Sequence, residues 1–244
     1  MTDGPTTPAR PQTPTTAPSI DYAARLAAWQ ARTVPPELAA QFRLAAELRS
    51  LMASLNLTTA PVELLDELTE RVRRLNAELA PHPRHPKLTM TQLAAQMASG
   101  ELAPGGAETF AHFDHSAFMG AANPIAPPMQ LSLQDGRIVG AVRFGDLYEG
   151  PPGHVHGGFV AAILDEVLGA SQATTNSPGM TARLEVTYRA PTPLHTDLVA
   201  TGWVERVEGR KIFAVGEVRN GDQVTATAQG LFVSFDFTRL LDEG

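Results

Sequence analysis

The stretch from Tyr148 to Gly169 reads YEGPPGHVHGGFVAAILDEVLG, a glycine- and proline-rich loop that runs directly into an apolar segment. Within that segment large aliphatic residues recur at intervals of three and four, which places them on one face of a helix. Gly157 and Gly158 occupy its first turn, where backbone N–H groups lack intrahelical acceptors and no side chain covers them. The stretch therefore predicts a helix with a bare, ligand-accessible N-terminus beside His156. The aliphatic stripe comprises Val160, Ile163, Leu164, Val167 and Leu168.

The composition is that of a chain that mostly folds. Of its 244 residues 43% are hydrophobic, so a core of ordinary size can form, and the net charge of -7 argues against nonspecific nucleic-acid binding. No run approaches the roughly 20 apolar residues of a membrane span, and the N-terminus lacks a secretory-signal pattern. The absence of cysteine excludes disulfides and thiolate nucleophiles. We therefore expect a cytoplasmic protein that binds neither nucleic acid nor membranes.

The first 122 residues show three successive patterns. Residues 1–20, rich in Thr, Pro and Ala, predict a disordered tail. Residues 21–80 carry helical periodicity on both sides of a break at Thr58–Pro61, and predict a helical hairpin extension. Packing or oligomerisation is the simplest role for it, and recruitment of a partner is the alternative. Residues 81–122 predict a linker, a short helix and an irregular strap over part of the next domain.

Two pairs of histidines raise the question of a metal site. Within each pair, His82 with His85 and His112 with His115, the residues are three positions apart. Neither pair has acidic or cysteine neighbours that would complete the four ligands of a structural zinc site. We therefore predict no metal.

From residue 129 the hydrophobic period changes to two, the period of half-buried strands. Asp135-Gly136 and Asn220-Gly221 are hairpin turn signals, and such short connections make neighbouring strands antiparallel. The predicted fold class is α+β: a six-stranded antiparallel sheet wrapped around one helix, with an uncovered remainder and an open edge that favour a second subunit. The predicted strands are Met129–Leu133, Arg137–Phe144, Thr181–Arg189, Asp197–Val207, Arg210–Arg219 and Gln223–Phe235.

Five blocks in this half resemble the hotdog-fold acyl-CoA thioesterases, in particular the PaaI-like branch and its mammalian mitochondrial relatives. Many members of that branch have an asparagine at the position of Gly150. The subgroup with a Gly-Pro-Pro-Gly loop has a glycine there, as this chain does. The likeness spans about residues 123–235 and implies a hotdog thioesterase domain over residues 123–237. In order, the blocks are EGPPG (149–153), HGG (156–158) with Asp165 following, TARLEVTY (181–188), PTPL (191–194) and VEGRK (207–211).

The resemblance implies hydrolysis of an acyl-CoA thioester to the free acid and CoA, without a cofactor, since CoA is part of the substrate. Such a reaction needs a donor for the developing oxyanion, and a helix N-terminus supplies one. We predict the Gly157 N–H in that role, with Gly158 behind it and His156 fixing the loop. Asp165 is the predicted general base or nucleophile. The resemblance places Thr181 near this carboxylate and the water.

The spacing on the helix adds a prediction of its own. Nine residues place Asp165 about 13 Å along the axis from the helix start, too far to act on a carbonyl held at the same chain's Gly157. We therefore predict a homodimer with two composite sites, each combining one subunit's helix start with the other's Asp165. Small residues on the Asp165 face of the helix would let the partner approach closely. Whether two dimers form a tetramer stays open.

Coenzyme A carries phosphates, so basic residues are expected at the mouth of the site. The predicted contacts are Arg183, Arg210 and Lys211, with Tyr188 against the adenine or pantetheine. Two alternatives stay open: a hotdog protein that binds acyl-CoA or an acyl carrier without hydrolysis, and an interaction protein acting through its helical hairpin. A retained Asp165 favours hydrolysis, because a pure binder has no use for a carboxylate beside a thioester.

Overall fold

The computed structural model describes residues 22–82, 113–175 and 179–234. Within these ranges, three helices of ten residues or more precede a six-stranded antiparallel sheet and the helix that packs on it. Two short 3-10 helices cover Asp146–Tyr148 and Gln172–Thr175. The α-helices are α1 (Tyr22–Ala31), α2 (Pro36–Leu57), α3 (Val62–Leu79) and α4 (Gly157–Ser171). The strands are β1 (Gln130–Gln134), β2 (Arg137–Arg143), β3 (Gly179–Tyr188), β4 (Asp197–Glu208), β5 (Lys211–Asn220) and β6 (Gln223–Ser234).

The sheet has the strand order β1-β2-β4-β5-β6-β3, and all neighbouring strands are antiparallel. Helix α4 lies between β2 and β3 in sequence, and it carries the chain across the sheet to the opposite edge. The predicted α+β hotdog architecture is confirmed, including the position of the helix between the second and third strands. The period of two, together with the turn signals between the segments, was therefore sufficient to identify all six strands.

The aliphatic stripe of α4 lies at the centre of the core. Its five residues are at most 1% exposed, and the helix contacts β2, β3, β4, β5 and β6. Gly202 of β4 permits the close approach, because a Cβ added there would lie 2.6 Å from the Val167 carbonyl oxygen. The sheet therefore holds α4 at a fixed depth, with the opposite face of the helix, including Asp165, only half-buried.

The N-terminal helices α1 and α2 are packed on the sheet domain. Helix α1 contacts β1, and α2 contacts the 3-10 helix at Asp146–Tyr148. Asp114 is 3% exposed and accepts hydrogen bonds from Trp29 Nε1 at 3.1 Å and Arg32 Nη2 at 2.5 Å. Arg32 lies in the connection between α1 and α2, and Asp114 lies in the segment that precedes β1. Their largely buried ion pair therefore joins the N-terminal extension to that segment.

Helix α3 differs from the other two, because none of its residues is buried. Its pairing with α2 as a hairpin stays a prediction. The predicted tail at residues 1–20 and the short helix near residue 90 lie outside the described residues. No helix in the described ranges is both long and apolar enough to cross a membrane.

We predict that Gly202→Ala lowers the free energy of unfolding by about 1–3 kcal/mol, because the added methyl group forces α4 away from the sheet. Urea denaturation followed by circular dichroism measures the change. Gly145→Ala is the matched control, since a Cβ there meets only His195 Cε1 at 4.0 Å. Equal stability of the two variants would contradict the close packing of helix on sheet.

Candidate active site

Helix α4 begins at Gly157 with His156 as its N-cap. The imidazole Nδ1 accepts a hydrogen bond from the Gly158 N–H at 3.0 Å, and this requires the tautomer with Nδ1 unprotonated. No acceptor among the described residues pairs with the Gly157 N–H. The two glycines therefore differ: the N–H of Gly158 is used by the cap, whereas that of Gly157 is available to a ligand oxygen.

The loop before the helix packs tightly against the cap residue. A Cβ added to Gly150 would lie 2.7 Å from the His156 Cα, so a larger residue, asparagine included, requires a different loop conformation. The His156 N–H donates to the Tyr148 carbonyl at 2.8 Å, and the Gly153 N–H donates to Glu149 Oε1 at 2.6 Å. These contacts close residues 149–156 into a compact turn that fixes the helix start.

A second loop supports this turn from the side. The Val155 N–H donates to the Thr192 carbonyl at 2.8 Å, and the Leu194 N–H donates to the Gly153 carbonyl at 3.1 Å. His195 follows with a φ of 56°, and its Nε2 lies 2.6 Å from Asp146 Oδ1. The two sequence blocks around residues 150 and 192 therefore meet as one backbone unit beneath the helix start.

Tyr188, at the end of β3, lies over the first residue of the helix. Its hydroxyl donates to the Gly157 carbonyl at 2.8 Å, and a Cβ on Gly157 would lie 3.2 Å from the ring. The ring nevertheless remains 53% exposed. The structure thus gives Tyr188 a contact with the helix start that the sequence did not predict, beside a surface that a ligand can still reach.

Asp165 lies eight residues along α4, where Thr181 of β3 contacts it. The Thr181 hydroxyl donates to Asp165 Oδ1 at 3.0 Å. Leu184 faces α4, and strict alternation would turn Ala182 rather than Thr181 toward the helix. A bulge between Thr181 and Arg183 shifts the register by one residue and redirects Thr181 to the carboxylate. The family resemblance pointed to Thr181, but nothing in the sequence indicated the bulge.

The neighbouring carboxylate of Glu166 has a different environment. Its Oε1 accepts a hydrogen bond from Ser116 Oγ at 2.9 Å, and Ser116 belongs to the segment that the sequence predicted to be a strap. Successive helix residues are turned by about 100°, so the strap holds Glu166 to one side of Asp165. Sequence reasoning missed this contact, because Ser116 lies in a region without periodicity.

The structure does not bring Gly157 and Asp165 together within one chain. Both are on α4, about 12 Å apart along its axis, since eight residues separate them. Strand β3 runs past both positions: Tyr188 contacts the Gly157 end, and Thr181 contacts the Asp165 end. A single chain therefore presents two separated half-sites on the helix side of one edge strand.

The predicted basic contacts for CoA lie elsewhere on the sheet. Arg183 precedes the inward-facing Leu184, so it projects from the outer surface, where it lines a groove with Arg206 and Phe213. Lys211 is exposed at the start of β5, next to the buried Ile212. Arg210 donates through Nε and Nη2 to the Ser234 carbonyl, each at 3.1 Å. Among the described residues, the hydrogen bonds of these three side chains do not reach Gly157 or Asp165, so their role in binding CoA stays a prediction.

Metal-binding side chains do not assemble near these half-sites. In the described ranges, no group of three or more His, Asp or Glu residues has an arrangement that could hold a metal ion. His154 Nδ1 lies 2.8 Å from the Pro152 carbonyl, which makes it a local contact of the loop. The chemically distinctive groups of α4 are the Gly157 N–H, which has no acceptor among the described residues, and the Asp165 carboxylate, which Thr181 contacts.

Comparison with known proteins identifies the family of this chain. Residues 152–227, which include both half-sites, match the family model described as Thioesterase superfamily. A crystal structure of a thioesterase superfamily protein is 33% identical to this chain, with a TM-score of 0.65 and coverage of 79% of this chain and 94% of that one.

Curated relatives match a shorter region. The acyl-coenzyme A thioesterase THEM4 of Xenopus laevis is 36% identical over 99 residues, which are 40% of this chain and 45% of that protein. The Mus musculus protein of the same name is 35% identical over 102 residues, or 41% and 44% of the two chains. The match therefore spans less than half the length of these relatives.

We predict that His156→Ala lowers the free energy of unfolding by about 1 kcal/mol, because the Gly158 N–H loses its capping acceptor. His156→Asn should retain most of the stability, since asparagine is a good N-cap. Chemical denaturation of the three proteins under identical conditions measures both effects. If the alanine variant is as stable as the asparagine variant, the imidazole does not cap the helix.

Proposed function

This chain belongs to the thioesterase superfamily, and from that premise we propose that it hydrolyses an acyl-CoA thioester to the free acid and CoA. The observation that carries the proposal is a single helix with an available N–H at Gly157 and a Thr181-bound carboxylate at Asp165. Similarity to curated acyl-coenzyme A thioesterases supports the choice of substrate. Water is the only other reactant that this chemistry requires.

We propose that two chains form a dimer through β3. This strand is an edge of the sheet, and most of its side chains are exposed, including Met180 at 57%. An unpaired edge of ten residues has N–H and C=O groups that favour pairing with another strand. A two-fold axis near the middle of β3 would pair the strand antiparallel with its own copy.

This pairing would also complete the site. Tyr188 marks the Gly157 end of β3, and Thr181 marks the Asp165 end, both on the helix side of the sheet. When an edge pairs antiparallel with itself, one subunit's Tyr188 end meets the other's Thr181 end. Each Gly157 N–H would then face the partner's carboxylate, which gives two equivalent composite sites.

In each site, the Gly157 N–H would bind the thioester carbonyl oxygen and stabilise the oxyanion that develops on it. Asp165, as general base, would take a proton from a water oriented by Thr181 while the water oxygen bonds to the carbonyl carbon. The C–S bond then breaks, the CoA thiolate leaves, and the proton held by Asp165 passes to it. As nucleophile, Asp165 would instead attack the carbonyl carbon and form an acyl anhydride, while the C–S bond breaks and the CoA thiolate leaves. Water would then hydrolyse the anhydride to the free acid and the Asp165 carboxylate, and the proton released in this step would pass to the thiolate.

We predict that Asp165→Asn lowers kcat at least about 100-fold with little change in KM, because the amide cannot accept the proton from water. A thiol reagent that detects released CoA measures turnover over a panel of short, long and aromatic acyl-CoA thioesters. Glu166→Gln is the matched control, since its carboxylate is turned toward Ser116, and its kcat should fall less than about threefold.

Equal rates for the asparagine variant and the wild type would remove Asp165 from the mechanism. Release of no thiol from any thioester of the panel would contradict hydrolysis and favour a protein that binds acyl-CoA or an acyl carrier without cleaving it.

The composite site predicts rescue between two inactive variants. Gly157→Pro removes the donor N–H at the first helical position, which tolerates proline, and His156 already has extended angles of φ -59° and ψ 132° that suit a residue before proline. Co-expression with Asp165→Asn under two affinity tags yields heterodimers with one intact site of two. Their kcat per dimer should be about half that of the wild type.

Each variant purified alone serves as the control, and both should be inactive. Heterodimers as inactive as the parents would show that Gly157 and Asp165 act within the same chain.

A further inference from the structure

Arg49 of α2 reaches the segment that precedes β1. Its Nε donates to the Ala126 carbonyl at 2.7 Å, and its Nη2 donates to the Asn123 carbonyl at 2.9 Å. The side chain is half-buried, and planar guanidinium donors suit two carbonyls at once. These two hydrogen bonds therefore fix α2 against the segment that leads into β1 of the sheet.

Helix α2 also contacts the 3-10 helix Asp146–Tyr148, which brings this guanidinium toward the phenol of Tyr148, a residue that is 2% exposed. Burial raises the pKa of Tyr148 to about 12, while the positive charge of Arg49 acts in the opposite direction. The buried phenol oxygen has no hydrogen-bond partner among the described residues. The phenol is thus neutral at physiological pH, with Arg49 as its polar neighbour.

Tyr148 contacts the catalytic loop in two ways. Its carbonyl accepts the His156 N–H at 2.8 Å, so the tyrosine backbone holds the residue that caps α4. Its ring packs edge-to-face on Phe159, in the first turn of α4, with centroids 4.9 Å apart. Displacement of Tyr148 would therefore move both His156 and the turn that contains the Gly157 N–H.

We propose that Arg49 is a positioning residue for the oxyanion donor: it holds Tyr148 and, through Tyr148, the orientation of the Gly157 N–H. Arg49 has no contact with either half-site, so it acts only through the loop. The inference rests on the proposed hydrolase function and extends it, because α2 precedes residues 152–227, the region matched by the family model. The N-terminal extension is then part of the catalytic apparatus.

Arg49→Met tests this role, since methionine keeps an apolar stem but removes the guanidinium. We expect kcat to fall about tenfold with KM within about twofold, because a misplaced donor weakens transition-state binding more than substrate binding. Hydrogen–deuterium exchange of amides in residues 149–156 should rise about tenfold, with β4 and β5 unchanged. Arg43→Met, an exposed change on the same helix, is the matched control and should alter neither quantity.

Tyr148→Phe separates positioning from general stability. This variant keeps the ring contacts and the Arg49 bonds to the two carbonyls, but removes the phenol oxygen. In this background, Arg49→Met should lower kcat by no more than about threefold, because part of its effect passes through the phenol. Melting temperatures of all variants establish that each assay is performed on folded protein.

A kcat and a loop exchange rate for Arg49→Met equal to those of the Arg43→Met control would overturn the inference. So would a tenfold loss of kcat in both backgrounds, since Arg49 would then act independently of Tyr148. If the wild type cleaves no acyl-CoA, the proposed function fails, and the exchange measurement alone decides whether Arg49 positions the loop.

Discussion

The fixed rise of an α-helix is the constraint on which this active site depends. It separates the Gly157 N–H from the Asp165 carboxylate by about 12 Å along the α4 axis. Any tilt of the helix on the sheet leaves this distance unchanged, and five buried aliphatic side chains with the close approach at Gly202 pack α4 against the sheet. Chemistry that uses both groups on one carbonyl therefore requires a second chain, and the exposed edge strand β3 presents both half-sites to it.

Different elements position the two half-sites. The turn at residues 149–156 and the loop around Thr192 support the helix start, while Thr181 and the β3 bulge define the surroundings of Asp165. The N-terminal helices α1 and α2 are packed against this arrangement, and α2, which carries the proposed positioning residue Arg49, contacts the 3-10 helix that contains Tyr148. A region outside the matched family segment thus adjoins the loop that leads into α4.

The sequence predicted the fold well because periodicity is a local property. The aliphatic spacing of α4, the alternation of the strands and the Asn220-Gly221 turn each needed only neighbouring residues. Contacts between distant segments were not predictable in this way: Ser116 with Glu166, and Arg49 with Ala126, join segments with no common pattern. The hydrogen bond to the Gly158 N–H depended on the orientation of the His156 imidazole, and the inward position of Thr181 depended on the bulge between Thr181 and Arg183.

The composite site is tested most directly by a crystal structure with a 2-oxoalkyl thioether analogue of an acyl-CoA, which resists hydrolysis because a methylene group separates its carbonyl from the sulfur. A composite site predicts that the carbonyl oxygen of the analogue accepts a hydrogen bond from the Gly157 N–H of one subunit, at about 3 Å. The Asp165 carboxylate of the other subunit should lie on the opposite side of the carbonyl carbon, within reach of an attacking water. A carbonyl that contacts Gly157 with no Asp165 carboxylate of the other subunit nearby would contradict a composite site.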